Sequence, residues 1–222
     1  MTKKNKFIPF KPAHFSSEEL VKKSKKYFQE INKRRSVRNF SNRSVPKEVI
    51  ENIIKTAGSA PSGAHKQPWT FCVISNEKLK SKIRKLAEKE EYENYHGRMS
   101  DSWKADLQHF RTNHIKEFLE IAPYLIVVFK KVFDFDEDEN KLQNYYVNES
   151  VGIACGFLIS AIHQAGLVTL THTPSPMNFL QTALRRPKNE KAFLLLPVGY
   201  PAKDCKVPDL KRKMLDEISF WF

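Results

Sequence analysis

The run YLIVVF at 124–129 is the purest apolar stretch in this 222-residue chain. It is far short of the roughly 18–20 residues that a bilayer span requires. A short unbroken run rich in β-branched and aromatic residues predicts a buried strand instead. A second apolar stretch, 145–164, has the length of a helix and is apolar almost all round, which predicts a central or interfacial position. Val49, Ile50, Ile53, Ile54 and Ala57 share one helical face, with Pro46 suited to the first turn and Gly58 at its end. Leu79, Ile83, Leu86 and Ala87 form another such face, with Asn76 placed to cap it. Further helices are expected over 17–33 and 177–185, and strands over 69–75, 167–171 and 193–199. Helices and strands alternate, so the fold class is α+β around one sheet.

No repeat or low-complexity stretch divides the chain, and one domain over 1–222 is expected. Residues 1–16 read as an N-terminal arm and 208–222 as a C-terminal arm. Residues 91–120 are rich in charge and aromatics and poor in apolar periodicity, the pattern of a lid or binding loop. Residues 134–140 read as an acidic surface loop. The basic N-terminus lacks the long apolar segment of a secretory signal, so a cytoplasmic protein with no membrane anchor is expected.

Cys72, Cys155 and Cys205 are odd in number and widely spaced, which fits neither a disulfide framework nor a metal site. The net charge is +13. Much of it, as in KLKSKIRKLAEKEE at 78–91, is interleaved with glutamates in the manner of a solvated helix face rather than a nucleic-acid stripe.

Three segments carry candidate chemistry. Arg34, Arg35, Ser36 and Arg38 place three guanidinium groups and a hydroxyl within five residues, a donor set able to hold a phosphate. A basic helix end is the alternative. Pro61, Ser62, Gly63 and Ala64, followed by His65, form a loop before a strand, where backbone N–H groups can approach a flat ligand. An ordinary helix-to-strand connection would look similar. Thr171, His172 and Thr173 end a strand stopped by Pro174, and hydroxyls there can donate to a ligand heteroatom. Threonine is also simply a good strand residue.

Taken together, RRSVR at 34–38, SAPSGAHKQPWTF at 59–71, RTNHIKEFLEIAPYLIVVFK at 111–130, ESVGIACGFL at 149–158, GLVTLTHTP at 166–174, LLPVGYP at 195–201 and VPDLKRK at 207–213 resemble the nitroreductase superfamily of FMN enzymes. Within it the chain is similar to the iodotyrosine deiodinase family. The resemblance runs over nearly the whole chain from about residue 30.

It implies a three-layer sandwich in which helices flank a central mixed sheet, and a homodimer with exchanged arms and FMN at the subunit interface. It implies phosphate contacts from Arg34, Arg35, Ser36 and Arg212, with Arg38 at the pyrimidine edge of the flavin. Pro61, Ser62 and Gly63 would lie along the ring, with Thr171, His172 and Thr173 at the strand end. Thr173 would be the catalytic hydroxyl, donating to flavin N5 and favouring one-electron steps. Glu91, Tyr95 and Lys116 would bind the substrate, as a carboxylate, a phenol and an ammonium that complement an amino-acid zwitterion. The Ala64 N–H would meet the substrate phenolate. His65 and Trp69 would be structural, and Arg98, Trp103 and Arg111 would order the lid.

The implied reaction is reductive dehalogenation of a halotyrosine, iodotyrosine giving tyrosine and iodide, without a metal. A general nitroreductase or quinone reductase of the same fold is the alternative. The electron donor stays open, with NAD(P)H acting through a separate reductase as one route. Neither nucleic acid nor membrane is expected as a partner.

Overall fold

The structure is a computed structural model and describes residues 7–222. The chain divides into two compact units, one ending at Arg34 and one spanning Arg35–Phe222. In the first unit, residues 7–16 carry no helix or strand; residues 1–6 of the expected arm lie outside the described residues. Helix α1, Ser17–Asn32, starts at a reciprocal cap. The Ser16 hydroxyl accepts from the Glu19 N–H, and the Glu19 carboxylate accepts from the Ser16 N–H.

The second unit is built on a four-stranded sheet in the order β1, β2, β6, β5: Trp69–Ile74, Tyr124–Lys131, Glu190–Gly199 and Val168–Thr169. These strands all pair antiparallel. Among the described residues the sheet becomes mixed at its edge, where Ser36 pairs in parallel with Thr169. The apolar run falls in β2, flanked on both sides, with Leu125 to Phe129 fully buried.

Alternation along β2 sends its side chains to two cores. Leu125, Val127 and Phe129 pack with Leu195 against Ile83 and Ala87 of α3, Glu77–Glu93, and against Leu119 and Leu180. Ile126 and Val128 pack with Leu196 and Val198 against α2, Lys47–Gly58, and α6, Val147–Gln164. Sheet and helices therefore form three layers. The helical faces foreseen for α2 and α3 are the buried ones, and the Asn76 side chain caps α3 by accepting from the Leu79 N–H at 2.9 Å.

Two regions differ from expectation. Residues 134–140 are part of a hairpin rather than a plain loop: they hold the end of β3, Phe133–Phe135, and the turn that joins it to β4, Lys141–Gln143. The Asp136 carboxylate organises the turn by accepting from the Asp138 and Asn140 N–H groups. Residues 91–120 are largely helical. They hold the end of α3, a wide turn at Asn94–Arg98, α4 at Asp101–Gln108 and α5 at Phe118–Ile121. α4 buries no side chain, which is why no apolar period announces it.

α3 positions the segments that come after it in the chain. Its buried stripe is Lys80, Ile83, Ala87 and Glu91, with charge at both ends. Lys80 donates to the Glu120 and Ala122 carbonyls at the C-terminal end of α5, both at 2.8 Å. Glu88 accepts from the Lys116 N–H at 2.7 Å, just before α5 begins. A cation meets the carbonyl end and an anion the amide end, matching the polarity of a short helix.

Candidate active site

Arg35 to Phe40 runs along the sheet edge. The Val37 N–H donates to the Thr169 carbonyl at 3.1 Å. Val37 and Phe40 are buried, which leaves Ser36 and Arg38 half-buried on the other side. The Arg35 guanidinium donates to the Pro208 carbonyl and so ties the 207–210 segment to this edge. Ser36 and Arg38 line a cleft of about 960 Å³, together with Phe110, Thr112, Asn113 and Pro208. Arg38 lies over the Phe110 ring at 5.4 Å, a cation–π contact. Burial lowers its pKa, against the pull of Tyr95. Arg212 is exposed, four residues beyond Pro208. Arg34 closes the first unit, where its N–H donates to the Ile31 carbonyl.

The glycine-bearing loop is held by its own turns. The Ser62 hydroxyl accepts from the Gln67 N–H at 2.9 Å, and the Ser62 carbonyl accepts from the His65 N–H at 3.0 Å. Ala64, His65 and Gln67 all take positive φ, between 47° and 55°, in the left-handed region. The Gly63 N–H donates to the Ser150 hydroxyl of α6 at 3.2 Å. A Cβ on Gly63 would lie 2.9 Å from the Tyr145 carbonyl oxygen, so only glycine fits this approach. Pro61 and Ala64 are exposed, while Ser62 and Gly63 are half-buried.

Thr171 and Thr173 are exposed, and His172 between them is buried. Extended backbone sends alternate side chains to opposite sides, so the two hydroxyls share one face and the imidazole faces the interior. The structure does not bring His172 together with the threonines. Both of its backbone polar groups pair with Leu195. Its ring meets Phe118 edge-on, with centroids 5.5 Å apart.

Glu91, Tyr95 and Lys116 do come together. The Lys116 Nζ lies 3.4 Å from the Glu91 carboxylate, with both side chains buried. It also donates to the Thr112 hydroxyl at 3.2 Å and to the Asn113 carbonyl. The Tyr95 hydroxyl donates to the Thr112 carbonyl at 3.3 Å, and Lys116 sits 5.7 Å from the centre of its ring. Burial raises the Glu91 pKa, opposed chiefly by Lys116. Burial lowers that of Lys116, opposed chiefly by Glu91. Burial also raises that of Tyr95, with Glu91 adding to the rise. The arrangement is a self-neutralised pair in a nearly dry site, able to open and receive one positive and one negative group.

Four residues that sequence reasoning passed over support this cluster. Thr112 and Asn113 hold Lys116 and Tyr95 and also line the cleft, so they separate the cluster from it. Glu88 fixes the Lys116 backbone. Asn94, buried, donates to the Ser175 carbonyl at 2.9 Å and fastens the end of α3 to the loop after Thr173. The spacing of Glu88, Glu91 and Tyr95 along one helical face was a readable signal. The carbonyls of Thr112 and Asn113 carried none, because backbone groups are the same in every residue. Of Arg98, Trp103 and Arg111, Arg98 pairs with Glu90 at 2.8 Å, joining the turn to α3. The half-exposed Trp103 lies on α4, and Arg111 takes a left-handed φ of 46°.

A family model, the nitroreductase family, matches residues 31–200. An iodotyrosine deiodinase from Haliscomenobacter hydrossis is 63% identical over 213 residues, covering 96% of this chain and 96% of that protein. Human iodotyrosine deiodinase 1 is 52% identical over 212 residues, covering 95% of this chain and 73% of the human protein. A crystal structure of oxidised iodotyrosine deiodinase bound to FMN and 3-iodo-L-tyrosine superposes with a TM-score of 0.76 at 30% identity, covering 88% of this chain and all of that one. With a three-layer fold, a basic edge and a buried Glu91–Lys116 pair beside Tyr95 in place, these likenesses agree: the chain belongs to the nitroreductase family and, within it, to the iodotyrosine deiodinases.

Proposed function

We propose that this protein is an FMN-dependent reductive dehalogenase of halotyrosines, turning iodotyrosine into tyrosine and iodide. The observation that carries the reading is the meeting of Glu91 and Tyr95, one turn apart at the end of α3, with Lys116 from before α5, the carboxylate and ammonium both buried behind the cleft edged by Ser36 and Arg38.

The residues present fit FMN. Arg35, Ser36 and Arg38 offer charge-assisted donors to a phosphate and to a polar ring edge. The expected contributions of Arg34 and Arg212 extend that set. The tight approach at Gly63 holds Pro61, Ser62 and Ala64 in an open loop suited to a flat ring. The outward hydroxyls of Thr171 and Thr173 suit the ring's heteroatoms, and Thr173 is assigned the catalytic hydrogen bond. When bound and reduced, FMN supplies the two electrons that, with a proton, replace iodide by hydrogen on the substrate ring.

The chain's own residues do the rest. The substrate ammonium displaces Lys116 from Glu91, and the substrate carboxylate takes Lys116. Each buried charge then keeps a partner of opposite sign, which is what makes the exchange feasible in a dry site. Tyr95 adds a hydrogen bond from the same wall. Closure of residues 91–120 over the substrate excludes water and strengthens those contacts. The Ala64 N–H, set by its left-handed backbone, meets the phenolate oxygen and favours that form of the ring.

A second copy of the chain completes the reading. Ile153 and Phe157 of α6, and Phe220, Trp221 and Phe222 at the C-terminus, expose apolar surface that a homodimer would cover. The electron donor is a reductant separate from this chain, such as an NAD(P)H-dependent reductase. No helix of the described residues is long and apolar enough to cross a membrane. With three free thiols, the protein suits a reducing cytoplasm.

The test is titration of the oxidised, FMN-loaded protein's flavin fluorescence with iodotyrosine. Tight quenching is expected, together with its loss in Glu91→Gln and Lys116→Ala while both variants keep FMN. Unchanged quenching in both variants would overturn the assignment. Weak quenching in the unaltered protein alongside efficient nitroarene reduction would favour a general nitroreductase.

A further inference from the structure

The zwitterion site accounts for Glu91, Tyr95 and Lys116, but another polar side chain is buried against it. The imidazole of His172 points inward, and its Nε2 has no hydrogen-bond partner. That atom lies 4.0 Å from Oε1 of Glu91, while Oε2 of the same carboxylate faces Lys116 at 3.4 Å. A buried nitrogen without a partner is costly and calls for an explanation.

His172 is also firmly placed. Its N–H and carbonyl exchange hydrogen bonds with Leu195, at 2.9 and 3.1 Å, in a central strand of the sheet. Phe118 of α5 meets its ring edge-on. Asn94, one turn beyond Glu91, is bonded to Ser175, so α3 is fastened to the segment that carries His172. The imidazole is thus a fixed post beneath a carboxylate on a longer, more adjustable side chain.

We propose that His172 is a positioning residue for Glu91, its imidazole N–H taking over the carboxylate when Lys116 is drawn away by the substrate. This rests on the reading of Glu91 and Lys116 as the zwitterion site. In the structure Lys116 neutralises Glu91 and no second donor is needed. Once the substrate carboxylate claims Lys116, the Glu91 carboxylate faces only the substrate ammonium in a desolvated site. A shift of about 1 Å brings Glu91 into ordinary hydrogen-bond range of Nε2. The tautomer with its proton on Nε2 then donates, holding the carboxylate ionised and aimed.

The surroundings favour a neutral donor. Arg38 from the sheet edge and Lys116 from before α5 face His172 as cations, Glu91 faces it from α3, and Phe118 is apolar. Burial first, then the two cations, press its pKa down to about 3. Glu91 is in turn faced by Lys116, His114, Tyr95 and His172. A neutral N–H donor lowers the pKa of its carboxylate partner, opposing the rise that burial imposes.

The experiment uses the FMN-loaded protein and flavin-fluorescence titration with two ligands, iodotyrosine and 2-iodophenol, which carries neither the ammonium nor the carboxylate and so leaves Lys116 on Glu91. The variants are His172→Phe, His172→Gln and Glu91→Gln. The phenylalanine variant should weaken iodotyrosine binding roughly tenfold or more, the cost of an unmade bond to a charged group. It should also move the acid-side loss of iodotyrosine binding to higher pH and leave the affinity for 2-iodophenol unchanged. Glutamine keeps an N–H near the same place and should restore most of the affinity. Should the phenylalanine variant not fold, His172→Asn, whose amide is too short to reach, makes the same comparison.

Unaltered iodotyrosine affinity and pH profile in a variant without the donor, with Glu91→Gln defective, would overturn this proposal alone. Equal losses for both ligands would also overturn it, because a general structural role does not distinguish them. Normal iodotyrosine binding by Glu91→Gln would overturn the zwitterion reading and this proposal with it.

Discussion

At the residue scale, the cluster carries its own pH signature. Burial raises the Glu91 pKa and lowers that of Lys116, so both shifts oppose charge. Glu91 loses its charge as pH falls through a value above the usual carboxylate range, and with it the contact to the substrate ammonium. Lys116 loses its charge as pH rises through a value below the usual lysine range, and with it the contact to the substrate carboxylate. Iodotyrosine affinity should therefore be bell-shaped in pH and narrower than two unperturbed groups would allow. Titrations of the unaltered protein over a pH series check this. A flat profile in the unaltered protein would show that neither group changes charge on the path to binding. The same directions bear on folding. A raised acid contributes stability that is full below its unfolded pKa and lost as pH rises through its folded one, and a lowered base contributes stability that is full above its unfolded pKa and lost as pH falls through its folded one, so the charged pair costs stability that substrate binding offsets.

At the element scale, the sequence disclosed those parts whose side chains repeat with the period of their own backbone. The buried faces of α2 and α3 and the central strand β2 were legible because burial leaves a 3.6- or 2-residue pattern. β3 and β4 were hidden because Asp134, Asp136 and Asp138 read as solvated loop, whereas Asp136 builds the turn that joins two short strands. α4 was hidden because it buries nothing. Within the site, the donor types were legible and the inward turn of His172 was not, since His172 lies past the two-residue β5 and joins the sheet by a single bridge to Leu195. The loop at Gly63 shows how one element constrains another. Its N–H is held by Ser150 of α6, and the Tyr145 carbonyl stands where a Cβ would go. That obstacle is backbone, immediately before the left-handed Tyr146 that leads into α6, and it has little room to retreat. Gly63→Ala should fold, displace the Ser62–Ala64 loop and weaken FMN binding roughly tenfold, the scale of a modest overpacking clash. Calorimetric titration of the flavin-free variant with FMN checks it, and unchanged affinity would mean that the loop does not contact the cofactor.

At the scale of the whole molecule, the question is what covers the apolar surface that a single copy leaves open. α6 buries Val151, Ala154, Leu158 and Ile162 on one side yet exposes Ile153 and Phe157 on the other. A helix apolar on both sides belongs inside something larger than the unit described. The C-terminal stretch exposes Ile218, Phe220, Trp221 and Phe222. A self-complementary pairing of two copies is the commonest way to bury such a patch. The proposed dimer also links assembly to cofactor binding, because the glycine loop hangs from α6 through Ser150. A charge on the exposed side of α6 would then disturb both at once. Phe157→Asp removes apolar area and places a carboxylate where the partner would press, without touching the buried face. It should sediment as a monomer at concentrations where the unaltered protein is a dimer, and hold FMN more weakly. Added FMN should shift it back toward dimer, since a ligand bound only by the assembled form stabilises that form. Sedimentation velocity with and without FMN measures both effects. A dimer that persists in Phe157→Asp with FMN affinity intact would move the interface off α6, and a monomer that binds FMN as tightly as the unaltered protein would separate cofactor binding from assembly.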